Sequence, residues 1–207
     1  RKDNTSSKEF SYDNEKPINK ITLNDFSISK NLITVAQWKA FIDAGGYKNK
    51  KYWTAKSWVW KENNHVNKPL NWKRNKNKIS LSTPNGFVSP HFDYPVTNIS
   101  KYELEAFANW VSLKLPHEHQ LETSSHKLLD NFKAWQWCSN EFYPYSGFQS
   151  FPYKEYSLPW FNKNYFTLKG ASIYTEKEML RCSFRNFYKP ENRFIFSGGR
   201  LASYDSI

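Results

Sequence analysis

Nine Trp, thirteen Tyr and sixteen Phe make 18% of the 207 residues aromatic. Rings in that number cannot all stay in water, so most of the chain must fold around them, and disorder is excluded for all but short segments. The length suits a single domain with a core of its own. The two cysteines, Cys138 and Cys182, exclude a disulfide-dense scaffold and can be paired or free. No apolar run approaches the roughly 18 residues that a membrane span needs. Nothing resembles a signal peptide, so a reduced, cytoplasmic compartment is expected. The sequence begins at Arg1 and is expected to be part of a longer reading frame. Thirty Lys and Arg against nineteen Asp and Glu give a net charge of +11. The basic residues are scattered through Lys/Asn-rich loops at 48–51 and 73–78, with no continuous stripe on a helix. A nucleic-acid partner rests on charge alone and is not the expected one.

Periodicity supplies the elements. Residues 1–9 are polar and expected to lie outside the packed core. Between Ile18 and Ile28 apolar residues recur every second or third position, which predicts extended structure. Thr34-Val35-Ala36-Gln37 has the form of a capping box, and Val35, Trp38, Phe41 and Ile42 fall on one helical face that Gly45-Gly46 ends. Ser100-Lys101-Tyr102-Glu103 opens a second helix, with a stripe of Leu104, Phe107, Ala108 and Val111 widened by Ala106 and Trp110. A short helix is predicted over about 118–129. Residues 47–93, with Trp53, Trp58, Trp60 and Trp72 among Lys and Asn, predict a long irregular segment packed on the core. After Asn131 short aromatic segments are broken by Pro and Gly. Two helices among many short strands predict an α+β fold with one domain.

Signals for chemistry are sparse. Five histidines occur, and only His117-Glu118-His119 forms a close pair. On a strand that spacing could chelate a metal. Here it follows Leu115-Pro116 at an expected helix start, where side chains at i and i+2 point apart, so solvent-facing or capping histidines are the preferred reading. No glycine-rich phosphate loop and no serine elbow is present. The densest cluster is Arg181-Cys182-Ser183-Phe184-Arg185-Asn186-Phe187-Tyr188-Lys189-Pro190 with Arg193. Arginine there could pair with a carboxylate, Asn186 could hydrogen-bond, and the rings could face a cationic nitrogen. On local composition alone, an aromatic core segment with surface arginines is preferred.

Several segments taken in order resemble the formylglycine-generating-enzyme or sulfatase-modifying-factor superfamily. They are Pro95-Val96-Thr97-Asn98-Ile99-Ser100, Ala108-Asn109-Trp110, Lys114-Leu115-Pro116-His117-Glu118, Lys169-Gly170-Ala171-Ser172 and Ser197-Gly198-Gly199-Arg200-Leu201-Ala202. Within it the chain is more similar to one branch, the C-terminal domain of ergothioneine and ovothiol sulfoxide synthases. Tyr12-Asp13-Asn14-Glu15-Lys16-Pro17, Phe41 to Tyr47, Trp137 to Phe148, and Arg185-Asn186-Phe187-Tyr188 with Pro190 and Arg193 carry that likeness, which spans about 10–202.

The resemblance implies a domain over 10–207 with the irregular sulfatase-modifying-factor fold, low in regular secondary structure and related to C-type lectins. It implies a non-haem Fe(II) enzyme that couples cysteine or γ-glutamylcysteine to hercynine or histidine with dioxygen. Iron would be held by three histidines of an N-terminal helical domain that has no counterpart here, and a structural Ca2+ occurs in some relatives. Phe142, Asn186, Phe187 and Tyr188 would line the imidazole-substrate pocket. Arg185 or Arg193 would hold a carboxylate, Arg185 having loop support as its alternative. The branch keeps a tyrosine near the iron as proton donor. Phe142 falls at the matching position, Tyr145 conforms and Tyr143 is adjacent, so Tyr143 and Tyr145 are the catalytic candidates. Phenylalanine at that place opens thiol oxygenation, or no turnover, as alternatives to sulfoxide synthesis. His117, His119 and Leu121 replace the superfamily's usual Thr, Ala and Trp, and Gly170-Ala171-Ser172 replaces G-G-S. Thr175 and Leu180 fill the places of the paired cysteines that bind copper in formylglycine-generating enzymes, so that reaction is not expected. The rival reading is a non-catalytic C-type-lectin-like binding module.

Overall fold

The computed structural model describes residues 11–75, 78–83 and 85–204. The polar segment 1–9 and the domain start at Phe10 lie outside them.

Both capping boxes close. Thr34 Oγ1 accepts from the Gln37 N–H at 3.3 Å while Gln37 Oε1 accepts from the Thr34 N–H at 2.9 Å, opening helix α1, Val35–Asp43. Two further helices follow, α2 at Ala55–Asn63 and α3 at Lys101–Trp110. Ser100 and Glu103 repeat the reciprocal pair at the start of α3, at 3.1 and 2.8 Å. Gly45, with φ +78°, turns the chain out of α1. The apolar stripes of α1 and α3 meet through Trp38, stacked on Phe107 at 5.1 Å, and Phe41, set edge-on to the same ring. Such ring pairs contribute about 0.5–1.5 kcal/mol each beyond area burial. Val111 lies one residue past α3 and is exposed, unlike the rest of its expected stripe.

The segment 47–93 is more regular than its composition predicts. Thr54 caps α2, its Oγ1 accepting from the Ser57 N–H at 3.1 Å. The helix carries no apolar stripe because its buried residues are Ser57 and Lys61, and the Lys61 ammonium sits 4.3 Å from the Trp58 ring. Strands β2 (Trp72–Asn75), β3 (Lys78–Thr83) and β4 (Gly86–Val88) then form an antiparallel sheet that turns Trp72 and Ile79 inward.

The sheet that positions the candidate site is built around β5, Trp135–Glu141. Its neighbours are β6 (Phe166–Gly170), β7 (Asn186–Tyr188) and β8 (Ser197–Gly198), in the order β7-β6-β5-β8. The β5–β8 pairing is parallel and the others are antiparallel. Strand β1, Phe26–Ile28, pairs with β9, Ala202–Tyr204, so only the end of the expected extended stretch is a strand. Trp137 is fully buried and its indole N–H donates to the Ile99 carbonyl at 3.0 Å. Arg200, equally buried, donates to Gln136 Oε1 at 2.7 Å, the Ser29 carbonyl at 3.0 Å and the Leu129 carbonyl at 2.7 Å. One guanidinium thereby closes three loops over β5. The architecture is mixed helix and sheet, and among the described residues no helix is long and apolar enough to cross a membrane.

Gly46 faces the Phe41 ring so closely that an added Cβ would lie 2.0 Å from it. Gly46→Ala is expected to lower stability by about 1–3 kcal/mol, the cost of overpacking a filled site. The midpoint of denaturant unfolding measures this, and an unchanged midpoint would contradict the packing described.

Candidate functional site

The site is organised by the first turn of helix α4, Glu118–Ser124. His117 is its N-cap and has an extended backbone, ψ 151°. Its Nδ1 accepts from the His119 N–H at 3.2 Å, and its own N–H donates to Gln120 Oε1 at 2.8 Å. Because His117 stands outside the helix, its ring stacks on that of His119, with centroids 4.7 Å apart, where the spacing predicts side chains pointing apart. The capping role is as read.

Glu118 has no exposed side-chain surface. Its carboxylate accepts from Arg185 Nε at 2.7 Å and Nη2 at 2.9 Å, from Asn140 Nδ2 at 2.9 Å and from the Tyr145 hydroxyl at 3.2 Å. Burial alone would raise the Glu118 carboxyl. The charge and hydrogen bonds of Arg185 outweigh burial and hold it below the ordinary carboxylate value. Arg185 also donates to the Asn14 carbonyl at 2.9 Å and the Tyr143 carbonyl at 3.0 Å. The Tyr145 ring lies 4.1 Å from its guanidinium carbon and the Phe142 ring 4.8 Å. Buried and held by these acceptors, Arg185 takes the supporting role.

Phe142 and Tyr143 leave Arg185 in different directions. Phe142 is buried and stacks on Phe187 at 4.1 Å. The half-buried Tyr143 phenol instead meets His119 Nε2 at 2.8 Å. Burial brings the His119 imidazole down to about 4 and pushes the Tyr143 phenol up to about 12, so both are neutral at neutral pH.

Strand alternation divides the remaining candidates. Phe187 sits opposite Thr167, with the Tyr156 and Tyr165 rings steeply inclined to its own at centroid separations of 6.3 and 6.2 Å. Asn186 and Tyr188 sit opposite Leu168 and Phe166, on the other face of β7. Asn186 Oδ1 accepts from the Phe187 N–H at 2.9 Å, and its amide nitrogen has no partner among the described residues. Arg193 belongs to a separate ion pair with Glu103 at 2.9 Å, where Tyr47 also donates to Glu103 at 2.7 Å.

Beside α4 lies a cleft of about 930 Å³, bounded by Ile18, Ile21, His119, Glu122, Arg181 and Ser183. Arg181 and Ser183 are drawn to its wall by Glu15, with Nε and Oγ 2.8 and 2.6 Å from Oε2. Cys182 is exposed there and Cys138 is buried, both free. Among the described residues no group of three or more His, Cys, Asp or Glu could hold a metal ion. Three-histidine iron therefore has no fitting donor set within them. Sequence reasoning missed Glu118 and His119 as parts of the site. The available signal was an acid directly after a helix cap, which needs a cationic partner once it is buried.

A family comparison matches residues 3–130, more than half of the chain, to the sulfatase-modifying factor enzyme 1-like domain. The chain belongs to this family. Its sequence is 27% identical to hercynine oxygenase of Mycobacterium tuberculosis, over 93% of this chain and 56% of that protein. Hercynine oxygenases of Mycolicibacterium thermoresistibile and Mycolicibacterium smegmatis are 26% and 27% identical over the same share of the chain. The chain spans little more than half the length of these relatives. Among solved structures, PvdO from Pseudomonas aeruginosa superimposes with a TM-score of 0.65 at 13% identity, covering 96% of this chain and 88% of that one. PvdO thus shares the fold of this sulfatase-modifying-factor domain.

Glu118→Gln is expected to cost about 3–5 kcal/mol at neutral pH, because it leaves Arg185 as an uncompensated buried charge. Acid should also destabilise the domain. His119 binds its proton only near 4 in the folded chain against 6.5 ordinarily, so the unfolded chain holds more protons between those values and stability falls with pH there. His117, also lowered by burial, adds to this slope. Glu118 adds a further loss below its ordinary 4.5, as pH falls through its depressed value. Urea midpoints between pH 7 and 4 measure the effect. His119→Gln should flatten the slope, and an unaltered slope would contradict the assignment.

Proposed function

We propose that this chain is the substrate-binding part of a hercynine oxygenase-type sulfoxide synthase, which joins a thiol, cysteine or γ-glutamylcysteine, to hercynine or histidine with dioxygen. The observation that carries the reading is likeness to three hercynine oxygenases over 93% of the chain. The edge strand β7 supports it. A ligand lying along a sheet edge can reach side chains of both faces, and β7 presents an aromatic ring on one and, on the other, the Asn186 amide nitrogen, which has no partner among the described residues. Phe187, with Tyr156 and Tyr165 at its rim, suits a trimethylammonium group. Asn186 Nδ2 suits a carboxylate or imidazole acceptor. Fe(II), which would supply dioxygen activation, would be held by ligands outside this chain in an N-terminal domain. A scaffold related to C-type lectins belongs to the same proposal.

The test is calorimetric titration of hercynine into the iron-loaded product of the natural gene. Binding should saturate, and Asn186→Ala should weaken it about tenfold, the loss of one hydrogen bond worth about 1.4 kcal/mol. Absence of any response to hercynine and histidine would overturn the proposal in favour of a non-catalytic binding module.

A further inference from the structure

We infer that His119 is a positioning residue that holds the Tyr143 phenol as a hydrogen-bond donor and makes the pair a proton relay to the cleft beside α4. The inference rests on the functional reading above and takes Tyr143, a catalytic candidate by the family resemblance, as part of the reacting site.

Consecutive residues of one turn have different tasks. His117 caps the helix, Glu118 goes inward to Arg185 and Tyr145, and His119 turns to Tyr143. The imidazole of His119 packs against the His117 ring, with centroids 4.7 Å apart, and the Tyr145 ring, 5.7 Å away. Tyr143 is fixed at its root by the bond from Arg185 Nη2 to its carbonyl, 3.0 Å long. The phenol and Nε2 are therefore preset at 2.8 Å, and the same imidazole lines the cleft.

The relay balances without any redox step. A reacting group gives its proton to the phenol oxygen, the phenol O–H breaks as Nε2–H forms, and the Nδ1 proton leaves for water in the cleft. Each group ends neutral, with the imidazole in its other tautomer. This requires an unprotonated Nε2. Burial supplies it despite the opposing pull of Glu118 and Glu122, while His117 and Arg185 add to burial's effect. Tyr143 and Tyr145 complete the groups that face the ring.

Two measurements on the iron-loaded natural gene product decide the matter. In the first, tyrosine carries 13C at Cζ. The Tyr143 resonance should move on His119→Ala and move back when free imidazole is added, and an unmoved resonance overturns the inference outright. In the second, hercynine turnover by His119→Ala should lose about a hundredfold in kcat, with KM for hercynine within about twofold, and added imidazole should restore it. A kcat within twofold of the parent, or a loss that imidazole does not restore, overturns the relay and leaves only a structural contact. A parent protein that binds and turns over no hercynine would instead overturn the functional reading, and the resonance would then decide the pair by itself.

Discussion

Glu118 and Arg185 lie 67 residues apart in sequence and neither side chain has exposed surface. Burying a carboxylate and a guanidinium costs several kcal/mol for each ion, and a bare pair does not recover that loss. Here the remaining valences are filled as well. Asn140 and Tyr145 complete the carboxylate, and the carbonyls of Asn14 and Tyr143 accept from the guanidinium. The pair thus fastens the N-terminal turn at Asp13–Glu15, the first turn of α4, the aromatic segment after β5 and the start of β7 to one point. Every candidate residue of the site except Arg193 lies within or next to one of these. The geometry of Phe142, Tyr143, Tyr145 and Asn186 to Tyr188 follows from the pair, which is why Arg185 serves them as a support.

Much of the fold was legible where the signal is local. A capping box needs residues three apart, so Thr34 with Gln37 and Ser100 with Glu103 marked α1 and α3 directly. The start of α4 at Glu118 was equally readable from the turn at Leu115-Pro116. Helix α2 was not, because it buries Ser57 and Lys61 while Trp58 packs on Trp53 and the Lys61 ammonium and Trp60 on Tyr102 of α3, which leaves no apolar period. In β3 the alternation of Ile79 and Leu81 with Ser80 and Ser82 was present, but the surrounding Lys and Asn residues masked it.

The site was legible by segment and not by direction. The resemblance drew attention to the stretches 142–145 and 185–188, and the structure places the rings of Phe142, Tyr143 and Tyr145 around the Arg185 guanidinium, with Phe187 stacked on Phe142. Which way each side chain turns depends on partners remote in sequence. Alternation in β7 sends Phe187 to one face and Asn186 and Tyr188 to the other, and the pairing register with β6 decides which face is which. His117 and His119 show the same limit. A helical period separates them, yet the first is a cap and not a helical residue, so their rings stack.

Under the proposed reading, strand β7 is the place where a ligand would meet both the Phe187 ring and the Asn186 amide nitrogen, which has no partner among the described residues. The measurement that tests this most directly is a crystal structure of the natural gene product with hercynine bound. The account predicts the trimethylammonium group within about 6 Å of the Phe187 ring centroid, the range of a cation–π contact, and a ligand acceptor on Asn186 Nδ2. Hercynine seated away from β7, or no bound hercynine at saturating concentration, would contradict it.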